Sequence, residues 1–183
     1  TDASVDASDL TALDAKTSVE VSVNTTTITG TAAQVNAVYE ANAAGTITGL
    51  GTEAVTISDT SIDASVLNLL DGNTSGVVDA ATVTTLTGEA VAINTAYAST
   101  GISNLDNAAV NLSGTNTVSQ VNSIAVSMFL ANPLTPGLLT ATISDNDIDS
   151  LSGISESGNA LTITVTDASV DASDLTALDA KTS

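Results

Sequence analysis

The densest run of potential chemistry in the sequence is DNDIDSLSGISE, residues 145–156. Asp145, Asp147, Asp149 and Glu156 occupy positions 1, 3, 5 and 12 of that run. Alternate carboxylates converge when a loop curls, and a glutamate seven residues further on can close the shell around a hard cation. The pattern therefore makes Asp145, Asp147, Asp149 and Glu156 candidate metal ligands, with calcium as the cofactor. A structural reading stands beside it: Asp147 or Asp149 caps a short helix, and the remaining acids are solvated.

The spacing resembles that of an EF-hand loop, but the context departs from one. Ser150 stands where glycine makes the sharp turn, and strand-like LLTATI precedes the loop in place of a helix. A second run, DGNTSG at 71–76, offers Asp71, Asn73, Ser75 and Gly76 in the same phase, with Thr82 where a glutamate is wanted. Equivalent positions near the start of the chain are Asp14, Lys16 and Ser18. An ammonium group cannot ligate a cation, so this turn reads as structural.

Other chemistries have little to work with. The chain holds no His and no Cys, and Lys16 and Lys181 are its only basic residues. Nucleophilic triads and most acid–base pairs are thereby removed. Paired carboxylates can hydrolyse glycosides, yet the acids here recur at cap and turn positions, and the chain does not read as an enzyme. With 21 acidic residues against two basic ones, the net charge is −19. Nucleic-acid binding needs lysine or arginine against phosphate and is excluded. Docking on an anionic membrane is disfavoured for the same reason. No apolar run approaches the ~18 residues of a spanning helix, so membrane insertion is not expected. The opening residues lack the basic start and apolar run of a signal peptide, and the repeat pattern leaves room for one upstream.

The elements that carry these residues recur. TDASVDASDLTALDAKTS occupies residues 1–18 and, unchanged, residues 166–183. Identity over 18 residues marks a long period of 165, with 1–165 one full repeat and 166–183 the start of the next in a tandem array. A shorter period lies inside it, in DASDLTAL, TAAQVNAVY, DASVLNLL, EAVAINTAY, TVSQVNSIA and the degenerate DIDSLSGI. These start near 6, 31, 63, 89, 117 and 147, six units averaging 27.5 residues.

Each unit has a helical half and a strand half. Asp6, Thr31, Asp63, Thr117 and Asp171 suit a helix N-cap, where a side-chain oxygen accepts a free backbone N–H. Val35, Val38 and Tyr39 then repeat at helical spacing, as do Ile93 and Tyr97, and Val118, Val121, Ala125 and Met128. Segments such as EAVTISD, LLTATISD and NALTITVTD are rich in alternating Val, Ile and Thr and read as strands. A unit this small cannot bury its own apolar face. The predicted class is α/β, a repeat solenoid of stacked strand-plus-short-helix coils. The alternative is a compact α+β domain repeated in tandem. Scarce aromatics (Phe129, Tyr39 and Tyr97) suit thin layers of small side chains.

Taken with SGVVDAATVTTLTGEAVAINTAYA, the duplicated segment resembles the repeats of giant bacterial cell-surface proteins of cyanobacterial type, and of S-layer proteins and calcium-dependent adhesins. That resemblance implies an extracellular, cell-surface structural role, in a fibre, sheath or surface layer whose partners are neighbouring copies of itself. It carries over no catalytic residue. Two other expectations are a calcium-stiffened adhesin stalk, and ice or mineral-surface binding through Thr25, Thr27 and Thr29, Thr82 and Thr84, Thr140 and Thr142, and Thr162, Thr164 and Thr166. The last competes with the plain fact that threonine suits the solvent side of a strand.

Overall fold

The computed structural model describes residues 2–182; Thr1 and Ser183, the outermost members of the duplicated segment, lie outside them. The chain is mixed α/β, with parallel strand pairing and seven helices among the described residues. It divides into two compact units. One comprises the chain up to Val83 together with Ser99–Leu105, and the other comprises Thr84–Ala98 and the chain from Asp106 onward.

The elements run β1 (Ser4–Asp6), α1 (Ala7–Asp14), β2 (Val21–Ser22), β3 (Thr27–Gly30), α2 (Ala32–Ala44), β4 (Ile47–Thr48), β5 (Ala54–Ile57), β6 (Ser61–Asp63), α3 (Ala64–Asn73) and β7 (Val78–Asp79). They continue as β8 (Thr85–Gly88), α4 (Ala90–Ala98), β9 (Ile102–Ser103), β10 (Ala109–Asn116), α5 (Val118–Ala131), β11 (Leu139–Ile143), α6 (Ile148–Leu151), β12 (Ala160–Thr162) and α7 (Ala172–Asp179).

In the first unit, strands pair in the order β1-β3-β5-β7-β9, with β2 and β4 forming a separate pair. Register carries one row straight across the sheet: Asp6, Thr29, Thr56, Asp79 and Ser103 are successive partners. Alternation sends Ile28, Val55 and Val78 to the buried face and leaves the polar row half-exposed. In the second unit β8, β10, β11 and β12 are neighbours in that order, again parallel.

The helices begin where the sequence places caps. Thr31 and Thr117 each form a capping box with a glutamine three residues on, Gln34 and Gln120. Asp6, Asp63 and Asp147 accept the backbone N–H of Ser8, Ser65 and Ser150, each at 2.8 Å. A strand leads straight into a helix at Gly30, whose φ of 144° is a conformation that L side chains rarely adopt. A Cβ built there would also stand 3.2 Å from Gln34 Oε1 and 3.4 Å from the Ala7 methyl, tight against both.

Each of three caps has a second, distant half. Asp59, beyond β5, accepts the Ala32 N–H at 2.7 Å; Asp145, beyond β11, accepts the Val118 N–H at 2.6 Å. Asp167 does the same for Ile148 at 2.9 Å. The N-cap residue thus serves the third amide of each helix, and an aspartate from later in the chain serves the first. The cores between are aliphatic. Ile28, Val35, Val38, Ile47 and Leu67 are fully buried in the first unit, and Leu86, Ile93, Ile124 and Leu151 in the second. Each such side chain contributes about 1.5–3 kcal/mol.

Removing a distant cap should cost what a cap is worth. In Asp59→Ala the Ala32 amide loses its acceptor, and stability measured by urea denaturation should fall by about 1 kcal/mol. Asp59→Asn should restore most of it, because an amide oxygen also accepts.

Candidate functional site

Two of the four acids proposed as ligands in the 145–156 run are hydrogen-bonded at helix ends. Asp145 Oδ2 is engaged at the start of α5, and Asp147 is the N-cap of α6, accepting from Ser150. Asp149 lies exposed in the first turn of α6, and Glu156 is exposed beyond it. Asp145 and Asp147 therefore serve two different helix N-termini. Among the described residues no group of three or more His, Cys, Asp or Glu side chains is placed to hold a metal ion. The run at 71–76 is tied into the fold as well. Asp71 Oδ2 accepts the Ser99 hydroxyl at 2.7 Å, Thr74 donates to the Glu53 carbonyl at 2.6 Å, and the Ser75 N–H reaches the Gly51 carbonyl at 2.9 Å.

Capping leaves an electrostatic signature. The backbone N–H and then the side chain of Ser150 hold the Asp147 carboxyl below the usual aspartate range. At Asp6 the Ser8 hydroxyl and then its N–H do the same. A carboxyl depressed in the folded state stabilises it above the ordinary aspartate pKa and loses that contribution as pH falls through the folded value. Acid unfolding should therefore steepen below about pH 4. The double variant Asp6→Asn, Asp147→Asn should flatten that limb of the curve of melting temperature against pH, leaving the neutral region little changed.

One buried carboxylate carries no sequence signal. Glu53 is 3% exposed, and it accepts the Tyr39 hydroxyl and the backbone N–H groups of Gly51 and Thr52 at 2.8 and 3.0 Å. Burial, then the hydrogen bond to Glu53, pushes the Tyr39 hydroxyl well above the usual tyrosine range. A lone glutamate between Gly51 and a strand has no motif that would announce this role. Glu53→Ala orphans three donors and should cost about 2–3 kcal/mol in chemical denaturation, while Glu53→Gln keeps an acceptor and should cost less.

The duplicated segment is the one feature that the structure shows in two environments. In the first copy, Ser4–Asp6 pairs with Thr27–Thr29, and the Ala3 carbonyl accepts the hydroxyls of Thr25 and Thr26 at 2.9 and 2.8 Å. Ala7 is fully buried and Leu10 is 6% exposed, whereas Leu13 is 51% exposed. In the second copy the pattern inverts. Leu178, the counterpart of Leu13, is 8% exposed, and Leu175, the counterpart of Leu10, is 45% exposed. Residues 169–171 form no strand, and Asp171 makes no side-chain cap bond. Contacts here run backward along the chain: Asp167 to Ile148, the Thr166 N–H to the Asn146 carbonyl at 2.9 Å, and Lys181 Nζ to the Ser155 carbonyl at 3.5 Å. One sequence thus packs against later residues of the chain in its first copy and against earlier residues in its second.

Comparison with protein-family models, with curated proteins and with solved structures finds no match in any of the three. No helix among the described residues is long and apolar enough to cross a membrane.

Proposed function

We propose that this chain is a structural module of a long extracellular repeat protein, joined end to end with neighbouring copies in a fibre, sheath or surface layer. The observation that carries this reading is the 18-residue segment present twice, unchanged, at residues 1–18 and 166–183. Stacked strand-plus-helix coils of about 27.5 residues, the solenoid form of this reading, fit the parallel ladders within each unit and the aspartates that bind the ends of β5 and β11 to earlier helices.

The chemistry of the surface supports the same role. A net charge of −19 keeps separate molecules apart at low salt, and that repulsion weakens as salt rises. Exposed Val126, Phe129, Leu130 and Leu134 supply apolar area for side-by-side contact in the second unit. Asp145 and Asp147 enter as helix caps.

Purified protein, imaged by negative-stain electron microscopy across a concentration and salt series, should form regular filaments or sheets as salt increases. Monodisperse single molecules at the highest concentration would sink assembly and favour a stalk. Melting in calcium and in EDTA should give the same midpoint if the acids act as caps; a rise of several degrees with calcium would assign the 145–156 loop to the cation.

A further inference from the structure

Five of the eleven exposed large apolar side chains among the described residues, Val126, Phe129, Leu130, Leu134 and Leu138, lie in α5 and the segment that leads from it to β11. We propose that this face pairs with the same face on a second copy of this chain, two α5 helices lying side by side about a two-fold axis. The inference deepens the side-by-side contact named above and rests on that reading.

The fold does not require apolar residues here. Helix α2 has the same capping box and nearly the same length, 13 residues against 14. Counted from the caps Thr31 and Thr117, α2 carries Glu40, Ala43 and Ala44, all exposed, where α5 carries Val126, Phe129 and Leu130. Those α5 positions are three and four residues apart and share one side of the helix. Neither adjacent helix in the chain reaches along them. Aligned at their first residues, α4 ends at the equivalent of Val126 and α6 at that of Val121. The side-chain ties to those neighbours also come earlier. Asn94 donates to the Ser123 hydroxyl at 3.0 Å and accepts that of Ser127 at 2.8 Å, while Asn122 donates to the Gly153 carbonyl at 2.8 Å and accepts the Ser155 N–H at 3.0 Å. The last turn of α5 therefore projects past the helices that precede and follow it.

Charge selects the occupant. No charged residue occurs between Asp106 and Asp145, although 21 acidic and two basic residues occupy the rest of the chain. A copy with a net charge of −19 is repelled at acidic surfaces and meets no charge at the centre of this one. Interface centres are likewise poor in charge and rich in aromatic and apolar side chains. Acids stand at the rim: Glu156 shares a groove with Phe129, and the Asp106 charge bears on Tyr97, which borders Leu130. Salt screens that rim, so pairing strengthens as salt rises. A two-fold contact is self-complementary, each copy supplying the surface that it receives. Five side chains are few beside the ~20–30 residues a side of a stable interface. One face therefore pairs weakly, and faces repeated along an array add through effective concentration.

Sedimentation velocity over a concentration series at high salt should show a monomer–dimer equilibrium. The variant Val126→Glu, Phe129→Ala, Leu130→Ala places the α2 side chains on α5 and should weaken pairing at least about tenfold. Its circular dichroism and melting temperature should stay close to the parent's, because all three positions are half-exposed or more. The chain has no cysteine, so a second readout is free of background. Leu130→Cys should link to its own counterpart on oxidation, whereas Val19→Cys, 71% exposed outside this face, should not.

A parent protein that stays monomeric yet binds phosphatidylcholine vesicles would overturn the pairing and give the face to lipid. Filaments that form alike in the parent and the triple variant, with Leu130→Cys unlinked, would overturn the pairing and leave the end-to-end reading standing. No association of the parent by sedimentation or by microscopy would overturn both.

Discussion

Helix N-termini are the constraint on which this structure turns. A helix leaves its first amides without intrahelical partners, and a chain of short helices has many such ends for its size. Here the α2, α5 and α6 ends are each divided between a local cap and an aspartate from later in the chain. The local cap fixes where the helix starts. The distant one fixes which later segment lies over it. Because each distant acceptor is an aspartate, this arrangement also accounts for part of the acidity: a carboxylate is a strong acceptor for an amide at the positive end of a helix.

The aliphatic core follows from the same arrangement. Short strands and helices leave room for thin layers of Val, Ile, Leu and Ala, and the one large aromatic drawn inside, Tyr39, brings a hydroxyl that must be met. Glu53 meets it and at the same time gathers the Gly51 and Thr52 amides. The neighbouring turn approaches so closely that a Cβ at Gly76 would stand 2.2 Å from the Glu53 carbonyl oxygen. Polar satisfaction and backbone approach are thus solved at one point in the first unit.

Much of the local structure was legible in the residues. The caps at Thr31 and Thr117, and the apolar stripes Val35, Val38 and Tyr39 or Val118, Val121, Ala125 and Met128, lie where periodicity puts them, because both depend on spacing of four residues or fewer. The broad class, parallel α/β, followed from their alternation with Val-, Ile- and Thr-rich segments. The acid run at 145–156 was legible as a cluster, and so was a helix cap at Asp147, but the distant partner of Asp145 was not. Whether Asp145 turns toward a cation or toward the Val118 amide depends on where α5 lies, 27 residues earlier.

By itself the sequence determined the absence of thiol and imidazole chemistry, the strongly negative charge, the helix starts and the recurrence of one 18-residue segment. These are properties of composition and of neighbours along the chain. Only the tertiary structure decided which leucine of that segment is buried, Leu10 in the first copy and Leu178 in the second. The physical reason is that burial belongs to a pair of surfaces: identical helices with different neighbours bury different residues, and no local pattern distinguishes them.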